Sequence, residues 1–147
     1  MKTRNARRKD IDEMMKIVEA ISPEYPHNSD VEDEINRSFE NNGYKPTYLV
    51  VEENEKILGF LGYSQSRINY RVYEIFHVMV NPQHQKKGFG TKLMEGAIND
   101  IKSLRRESED DYLILITSLQ PEYFERFGFS TLTKIKVNGS CLMSLSV

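Results

Sequence analysis

The residue types best suited to bind a ligand lie at positions 85–90, where the sequence reads Gln-Lys-Lys-Gly-Phe-Gly. An apolar run ending at Pro82 precedes this segment, and apolar residues spaced three or four apart follow it as far as Leu104, which is typical of a helix. Glycine permits positive φ and places no side chain between the backbone and a ligand. A loop between a strand and a helix directs unpaired N–H groups and the helix dipole at one point. The segment therefore predicts a phosphate or pyrophosphate site.

The spacing of the glycines distinguishes between kinds of phosphate loop. A Walker A loop requires Gly-Lys-Ser/Thr and another glycine five residues before Gly90, and the sequence has neither. A Rossmann fingerprint requires a small residue where Leu93 stands. The pattern Gln-x-x-Gly-x-Gly, preceded by Val80 and Pro82, instead resembles the acetyl-CoA pyrophosphate loop of the GNAT superfamily of N-acetyltransferases. The alternative interpretation is a glycine-containing connection with solvated lysines.

A second segment and the order of elements extend this resemblance over the whole chain. Residues 123–129, Tyr-Phe-Glu-Arg-Phe-Gly-Phe, look like the late Tyr-Glu-x-x-Gly-Phe segment of the family. Asp10, with Glu13 three places on, predicts a capping box at the first helix, and Asn138-Gly139 predicts a hairpin turn. The predicted order is β-α-α-β-β-β-α-β-α-β-β, with the fourth strand at 72–80, the fifth at 112–117 and the last two at 129–137 and 141–147.

The resemblance implies a fold of the α/β (α+β) class. We expect a GNAT fold with a central mixed, mostly antiparallel seven-stranded sheet, splayed between the fourth and fifth strands, with about four helices. Residues 1–147 are expected to form a single N-acetyltransferase (GNAT) domain.

Composition excludes several other classes of function. The formal net charge of −2 over 147 residues does not predict nucleic-acid or anionic-membrane binding, and no apolar run is long enough to span a membrane. Cys141 is the only cysteine, so a cytoplasmic location is the default expectation. His27, His77 and His84 lie on different predicted elements, and no metal site is predicted.

The resemblance also implies which residues bind the co-substrate. Pantetheine of acetyl-CoA would insert between the strands at 72–80 and 112–117, with one N–H near Val78 polarising the thioester carbonyl. The loop would wrap the pyrophosphate. The residues expected to contact the co-substrate are Val78, Met79, Val80, Gln85, Lys86, Lys87, Gly88, Phe89, Gly90, Thr91 and Phe124.

Glu74 is the candidate general base. An amine attacks a thioester only when it is unprotonated, so the site needs a proton acceptor. Counting back from the glycine loop, Glu74 falls where the histone-acetyltransferase branch places its catalytic glutamate. Strand alternation predicts that Glu74 shares a face with Phe76, Val78 and Val80, apolar neighbours that would raise its proton affinity, and that His77 lies on the opposite face. The alternatives are a glutamate at a strand edge that is solvated or paired with Arg67 or Arg71, and proton removal through a water chain.

The candidate general acid departs from the family pattern. The usual tyrosine lies four residues before the glycine of Gly-Phe, and this sequence has Phe124 there, with Tyr123 beside it. One residue along a helix is a rotation of about 100°. Either Tyr123 reaches the sulfur from a shifted helix, or the thiolate leaves unassisted or takes a proton from water.

Together these features predict an acetyl-CoA-dependent N-acetyltransferase that acts on a primary amine of a small molecule, peptide or protein by direct attack in a ternary complex. A non-catalytic acyl-CoA-binding regulatory module and an ATP-binding module remain as alternatives, and a homodimer is left open. The acceptor is not identified, because segments 22–46 and 64–73, which would shape its pocket, show no dominant charge. The resemblance places Tyr25, His27 and Tyr44 on the acceptor side, either as pocket-lining residues or as ordinary packing residues.

Overall fold

The structure is a computed structural model that describes residues 1–23, 28–41, 43–107 and 110–147. Two 3-10 turns lie at Arg8–Asp10 and Pro82–His84. The helices and strands, in chain order, are β1 (Lys2–Asn5), α1 (Ile11–Ile21), α2 (Asn28–Arg37), β2 (Thr47–Glu53), β3 (Lys56–Gln65), β4 (Val72–Val80), α3 (Phe89–Leu104), β5 (Leu113–Ser118), α4 (Pro121–Glu125), β6 (Ser130–Lys134) and β7 (Cys141–Ser146).

The strands form one seven-stranded sheet in the order β1-β2-β3-β4-β5-β7-β6. Every neighbouring pair is antiparallel except β4 and β5, which are parallel. This arrangement confirms the predicted mixed, mostly antiparallel sheet. No helix among the described residues is long and apolar enough to cross a membrane.

Helices cover both faces of the sheet. The buried stripe of α3 (Leu93, Met94, Ala97 and Ile101) packs on one face, and α1 and α2 pack on the other. The central strand β3 is consequently buried over seven consecutive residues, as expected for a strand with both faces covered. The sheet is thus a rigid support with one helix layer on each side.

The start of α1 differs from the prediction, because the capping box expected at Asp10 is absent. The Asp10 carboxylate accepts hydrogen bonds from the Arg7 N–H at 2.7 Å and from the Arg4 guanidinium at 2.7 and 3.1 Å. Glu13 accepts a hydrogen bond from the N–H of Ile57 at 3.0 Å. Asp10 therefore caps the 3-10 turn at Arg8–Asp10 that precedes α1, and both carboxylates also join the start of α1 to neighbouring strands.

The fourth and fifth strands separate after three residue pairs. Val72, Tyr73 and Glu74 pair with residues 113–115 of β5, and no pairing is formed beyond Glu74. The remainder of β5 pairs with β7, and the remainder of β4 pairs with β3. The predicted splay is confirmed, and it leaves one edge of β4 without a strand partner among the described residues.

A β-bulge at His77 interrupts β4 within this separated part. The pair Phe76–Gly62 is followed by Met79–Phe60, so two residues of β4 lie opposite one residue of β3. His77 has a φ of +52°, which is rare for a residue with a side chain. Because the bulge inserts one residue, side chains beyond it lie on the opposite face from that expected by strict alternation.

Candidate active site

The loop before α3 arranges backbone N–H groups around one point. Lys86 has a φ of +63° and Gly88 a φ of +89°, and left-handed residues in such a turn orient successive N–H groups into a concave, anion-binding surface. Gly88 is the N-cap of α3 and supplies no side chain to cap it, so the N–H groups of the first helical turn remain available. The Gln85 side chain donates a hydrogen bond to the Val80 carbonyl at 3.2 Å, which ties the loop to the end of β4.

The two glycines of the loop serve different purposes. The expected positive φ occurs at Gly88 but not at Gly90, which lies within α3. A Cβ at Gly90 would lie 2.5 Å from the Tyr123 hydroxyl and 3.6 Å from a methyl carbon of Val80. The Tyr123 hydroxyl therefore leaves little room for a side chain at position 90 unless Tyr123 shifts.

The side chain of Arg126, which follows the last residue of α4, lies beside the first turn of α3. The Arg126 guanidinium donates a hydrogen bond to the Thr91 hydroxyl at 2.6 Å and lies 4.2 Å from the centre of the Tyr123 ring. Arg126 is exposed, as are Lys86 and Lys87. Sequence reasoning missed Arg126, although it belongs to the segment 123–129 that signalled the family.

Tyr123 and Phe124 contact each other, with ring centroids 4.9 Å apart, and differ in burial. Phe124 is only 8% exposed and belongs to the core beneath α3, where its ring meets the edge of Phe129. Tyr123 is half-buried and its hydroxyl lies against Gly90. Neither the expected contact of Phe124 with the co-substrate nor proton donation by Tyr123 is tested by this geometry, and both stay predictions.

The separated part of β4 presents backbone groups to the gap. Val78, Met79 and Val80 are half-buried, and of the described strands only β3 pairs with them. An exposed strand edge offers N–H and C=O groups at regular spacing to an extended ligand. This edge ends at the loop described above, so the two form one continuous surface.

The face assignments made from alternation are wrong beyond the bulge. Val78 and Val80 pack in the core beneath α3, whereas Phe76 packs against the core beneath α1 and α2. Glu74 lines a cavity on the α2 side, and His77 contacts Tyr48 of the α1 and α2 core. Glu74 therefore shares a side of the sheet with His77. It is exposed in a cavity whose lining includes both charged and apolar residues.

His77 and Tyr48 form a hydrogen-bonded pair at the bulge. The Tyr48 hydroxyl lies 2.9 Å from Nδ1 of His77, and the two rings stack with centroids 6.2 Å apart. Burial lowers the pKa of the His77 imidazole and raises the pKa of the Tyr48 hydroxyl. Both groups are consequently neutral at pH 7. Sequence reasoning missed Tyr48 because a bulge at a histidine has no glycine to signal it.

The cavity beside Glu74 has a volume of about 330 Å³. Its charged and aromatic lining residues are Glu34, Arg37, Tyr44, Lys45, Arg67 and Glu74. Tyr44 was expected on the acceptor side. Tyr25 and His27, which were expected there too, lie outside the described residues. No group of three His, Cys, Asp or Glu side chains in the described parts of the chain is placed to hold a metal ion.

Comparison with known proteins identifies the family. Residues 12–129 match the model of the acetyltransferase (GNAT) family. The chain therefore belongs to this family, as the loop and the splayed sheet predict. No protein of curated function matches the chain.

Solved structures share the fold at low sequence identity. A GNAT-family protein from Desulfovibrio desulfuricans superposes with a TM-score of 0.82 at 17% identity, covering 99% of this chain and 98% of the other. A GNAT-family acetyltransferase from Brucella melitensis, solved with acetyl-CoA, superposes with a TM-score of 0.71 at 20% identity, covering 99% of this chain and 86% of the other. The PaiA N-acetyltransferase of Thermoplasma acidophilum, solved with coenzyme A, superposes with a TM-score of 0.74 at 14% identity, covering 99% of this chain and 98% of the other.

Proposed function

We propose that this protein transfers the acetyl group of acetyl-CoA to a primary amine by direct attack in a ternary complex. The observation that carries the proposal is the unpartnered edge of β4 beyond Glu74, which runs into the N–H groups at the start of α3. An extended pantetheine arm followed by a pyrophosphate matches the order of these two features. The acetyl-CoA and coenzyme A held by two proteins of the same fold support this choice.

The phosphate end of the co-substrate is assigned to the loop and to α4. N–H groups from residues 85–91 bind the pyrophosphate, since the turn and the helix dipole both favour an anion there. Lys86, Lys87 and Arg126 are exposed cations around this point and add long-range attraction. Arg126 is held by Thr91 and Tyr123 and needs little further ordering to reach a phosphate.

The chemical step requires the ammonium form of the acceptor to lose two protons, one before attack and one after it. The first proton passes to Glu74, directly or through water. The amine nitrogen then forms a bond to the thioester carbonyl carbon, the second proton passes from nitrogen to water, the C–S bond breaks, and the thiolate takes a proton from water or from a side chain. A backbone N–H near Val78 stabilises the oxyanion, because the β4 edge has no strand partner there among the described residues.

A second candidate function is a non-catalytic acyl-CoA-binding module. It is favoured by one observation: the position of the family's tyrosine is occupied by Phe124, which is buried and has no proton to donate. Thiolate protonation by solvent would still permit turnover, so the enzyme is the preferred proposal.

A thiol-release assay tests the proposal. The protein is mixed with acetyl-CoA and a panel of primary amines, free CoA thiol is followed over time, and the N-acetylated product is identified by mass spectrometry. Amine-dependent release with a matching amide product is expected. Binding of CoA without amine-dependent release would support the module instead, and the absence of both would contradict either function.

A further inference from the structure

We propose that the acceptor is a small amine that also carries a carboxylate group, bound in the cavity beside Glu74 with its carboxylate on Arg67. The proposal rests on the proposed function, since it takes this cavity as the acceptor side of the transferase. It assigns a chemical class to a substrate that family membership leaves open.

Tyr44 provides a fixed platform in the cavity wall. Its hydroxyl donates a hydrogen bond to the Ser66 carbonyl at 3.2 Å, and its own carbonyl accepts one from Arg37 at 3.1 Å. Ser66 is buried. The ring is thereby held at both ends although it is 48% exposed, an arrangement that orders an aromatic face at the cavity surface.

Arg67 lies on this platform with its donors available. Its guanidinium carbon is 5.6 Å from the centre of the Tyr44 ring. Stacking uses the flat face of a guanidinium and leaves the N–H groups in its plane free to bind the two oxygens of a carboxylate. Arg67 forms no ion pair with any carboxylate of the described residues. Contact with the Tyr44 ring therefore limits the positions of the Arg67 side chain and leaves its N–H donors available to a carboxylate.

The remaining charges of the cavity match the other end of the acceptor. Arg37 and Glu34 form an ion pair at 2.9 Å and offset each other. Lys45 reinforces Arg67 as a cation, and Glu74 faces the same cavity as an anion. Neither Lys45 nor Glu74 forms an ion pair within the described part of the chain. An acceptor with its ammonium group at Glu74 and its carboxylate at Arg67 would pair with both the negative and the positive side chain of the cavity.

The size of the cavity favours a small molecule as the acceptor. Its volume of about 330 Å³ lies at the lower end of the range for small-molecule sites. Glu74 occupies the last pair between β4 and β5, so an amine bound there lies at the opening of the proposed pantetheine gap. The acetyl group and the amine can then meet without a large movement of either.

Matched amines test the inference. Acetylation rates are compared for L-amino acids and their carboxamides, and for 6-aminohexanoate and hexylamine, each corrected for its unprotonated fraction. The carboxylates should be preferred by about tenfold or more in kcat/KM. Arg67→Gln should remove most of this preference by raising KM for the carboxylates, with KM for the amides within about twofold of the unsubstituted protein.

Arg8→Gln is the matched control, because Arg8 is also an exposed arginine over an aromatic ring, that of Phe39, at 5.3 Å. It should leave the preference unchanged. Equal kcat/KM for the carboxylates and their amides in the unsubstituted protein, or an equal loss of kcat/KM for both in Arg67→Gln, would overturn the inference.

Failure of the proposed function is separated from failure of the inference by a binding measurement. If no amine is acetylated, saturation-transfer NMR is recorded on the CoA-saturated protein with leucine and leucinamide. Preferential binding of leucine that is lost in Arg67→Gln supports the carboxylate site without the reaction. Equal binding of both compounds, or binding of neither, overturns it.

Discussion

Glu74 and His77 lie three residues apart on one side of β4, and their surroundings give them different properties. Glu74 is exposed and lines the cavity on the α2 side. His77 has one ring nitrogen engaged by Tyr48 and is neutral at pH 7 because burial lowers its pKa. We therefore assign proton removal to Glu74 and the shaping of the bulge to the His77–Tyr48 pair.

Replacing Glu74 by glutamine should lower the acetylation rate by about 10²-fold at pH 7, since the amide has the same shape and no basicity. The loss should shrink at high pH, where more of the acceptor amine is already unprotonated. Rates are measured by thiol release, with Glu55→Gln as a control at an exposed glutamate of the β2–β3 turn. Equal rates for Glu74→Gln and the control at pH 7 would exclude this role.

The position of Tyr123 indicates a contribution to co-substrate binding. Its hydroxyl lies against Gly90, at the phosphate end of the proposed site. Tyr123→Phe should raise the dissociation constant of CoA several-fold and leave kcat at saturating acetyl-CoA within about twofold. Calorimetry and steady-state kinetics separate the two effects. Normal CoA affinity with a loss of most of the turnover would show instead that Tyr123 protonates the thiolate.

Some individual residues of the site could be predicted from sequence and others could not. Gly88 was predictable because only glycine adopts its backbone conformation without strain. The side of the sheet on which Val78 lies was not predictable, because alternation was counted through His77. A histidine with positive φ carries no local sequence signal, and the bulge is imposed by pairing with β3.

At the scale of elements, α3 and α4 meet at the loop. Arg126 and Tyr123 of the α4 segment contact Thr91 and Gly90 of the first turn of α3. A glycine at position 90 thus has two explanations: it accommodates the Tyr123 hydroxyl, or it lets a phosphate approach the helix.

A double substitution separates these explanations. Gly90→Ala alone should weaken CoA binding by more than tenfold, because the new methyl group meets the Tyr123 hydroxyl and covers the helix start. In Tyr123→Phe the nearest ring carbon would lie 3.6 Å from that methyl group, an ordinary contact. If Gly90 is needed so that a phosphate can approach the helix, the double variant with Gly90→Ala and Tyr123→Phe should still bind CoA weakly. A double variant that binds CoA as well as Tyr123→Phe alone, measured by calorimetry, would show that Gly90 only accommodates Tyr123.

The sequence predicted the bounds of helices and strands correctly where the apolar periodicity was strong. It predicted them incorrectly where a turn took the place of the end of a strand. The strand expected at 72–80 is present as Val72–Val80, and the helix after the glycine loop runs to Leu104. The strand expected at 129–137 is only Ser130–Lys134. The turn begins at Ile135, whose N–H and carbonyl bond to Ser140 and Gly139, respectively. The hydrogen bonds of this turn take the place of further pairing between β6 and β7.

At the scale of the whole molecule, an ion cluster joins the first strand to α1 and β2. Arg4 bonds to Asp10 and, at 3.2 Å, to Glu52, and the side chain of Asp10 is only 4% exposed. Burial alone would raise the pKa of the Asp10 carboxyl, but hydrogen bonds from Arg4 and Arg7 outweigh it and hold the pKa below its usual value. The hydrogen bond from Arg4 likewise lowers the pKa of Glu52.

This cluster predicts how stability depends on pH. A carboxyl with a lowered pKa in the folded state stabilises the fold above its unfolded pKa of about 4, and the stabilisation is lost as pH falls through the folded value. Asp10→Asn should therefore reduce the free energy of unfolding by about 2 kcal/mol at pH 7, with the difference narrowing below about pH 4. Urea unfolding across pH provides the measurement. Asp12→Asn, at the next carboxylate along the chain, which is exposed, is the control. A difference that stayed constant down to acid pH would contradict the account.

The central claim is that the open edge of β4 and the N–H groups before α3 bind the co-substrate, and hydrogen–deuterium exchange tests it most directly. The backbone N–H groups of the loop and of the first turn of α3 should exchange fast in the free protein and slow markedly when CoA is added. Peptides covering residues 76–92 should therefore gain protection, and those covering the distal strand β6 should not. Protection confined to other segments, or none at saturating CoA, would contradict the assignment of this site.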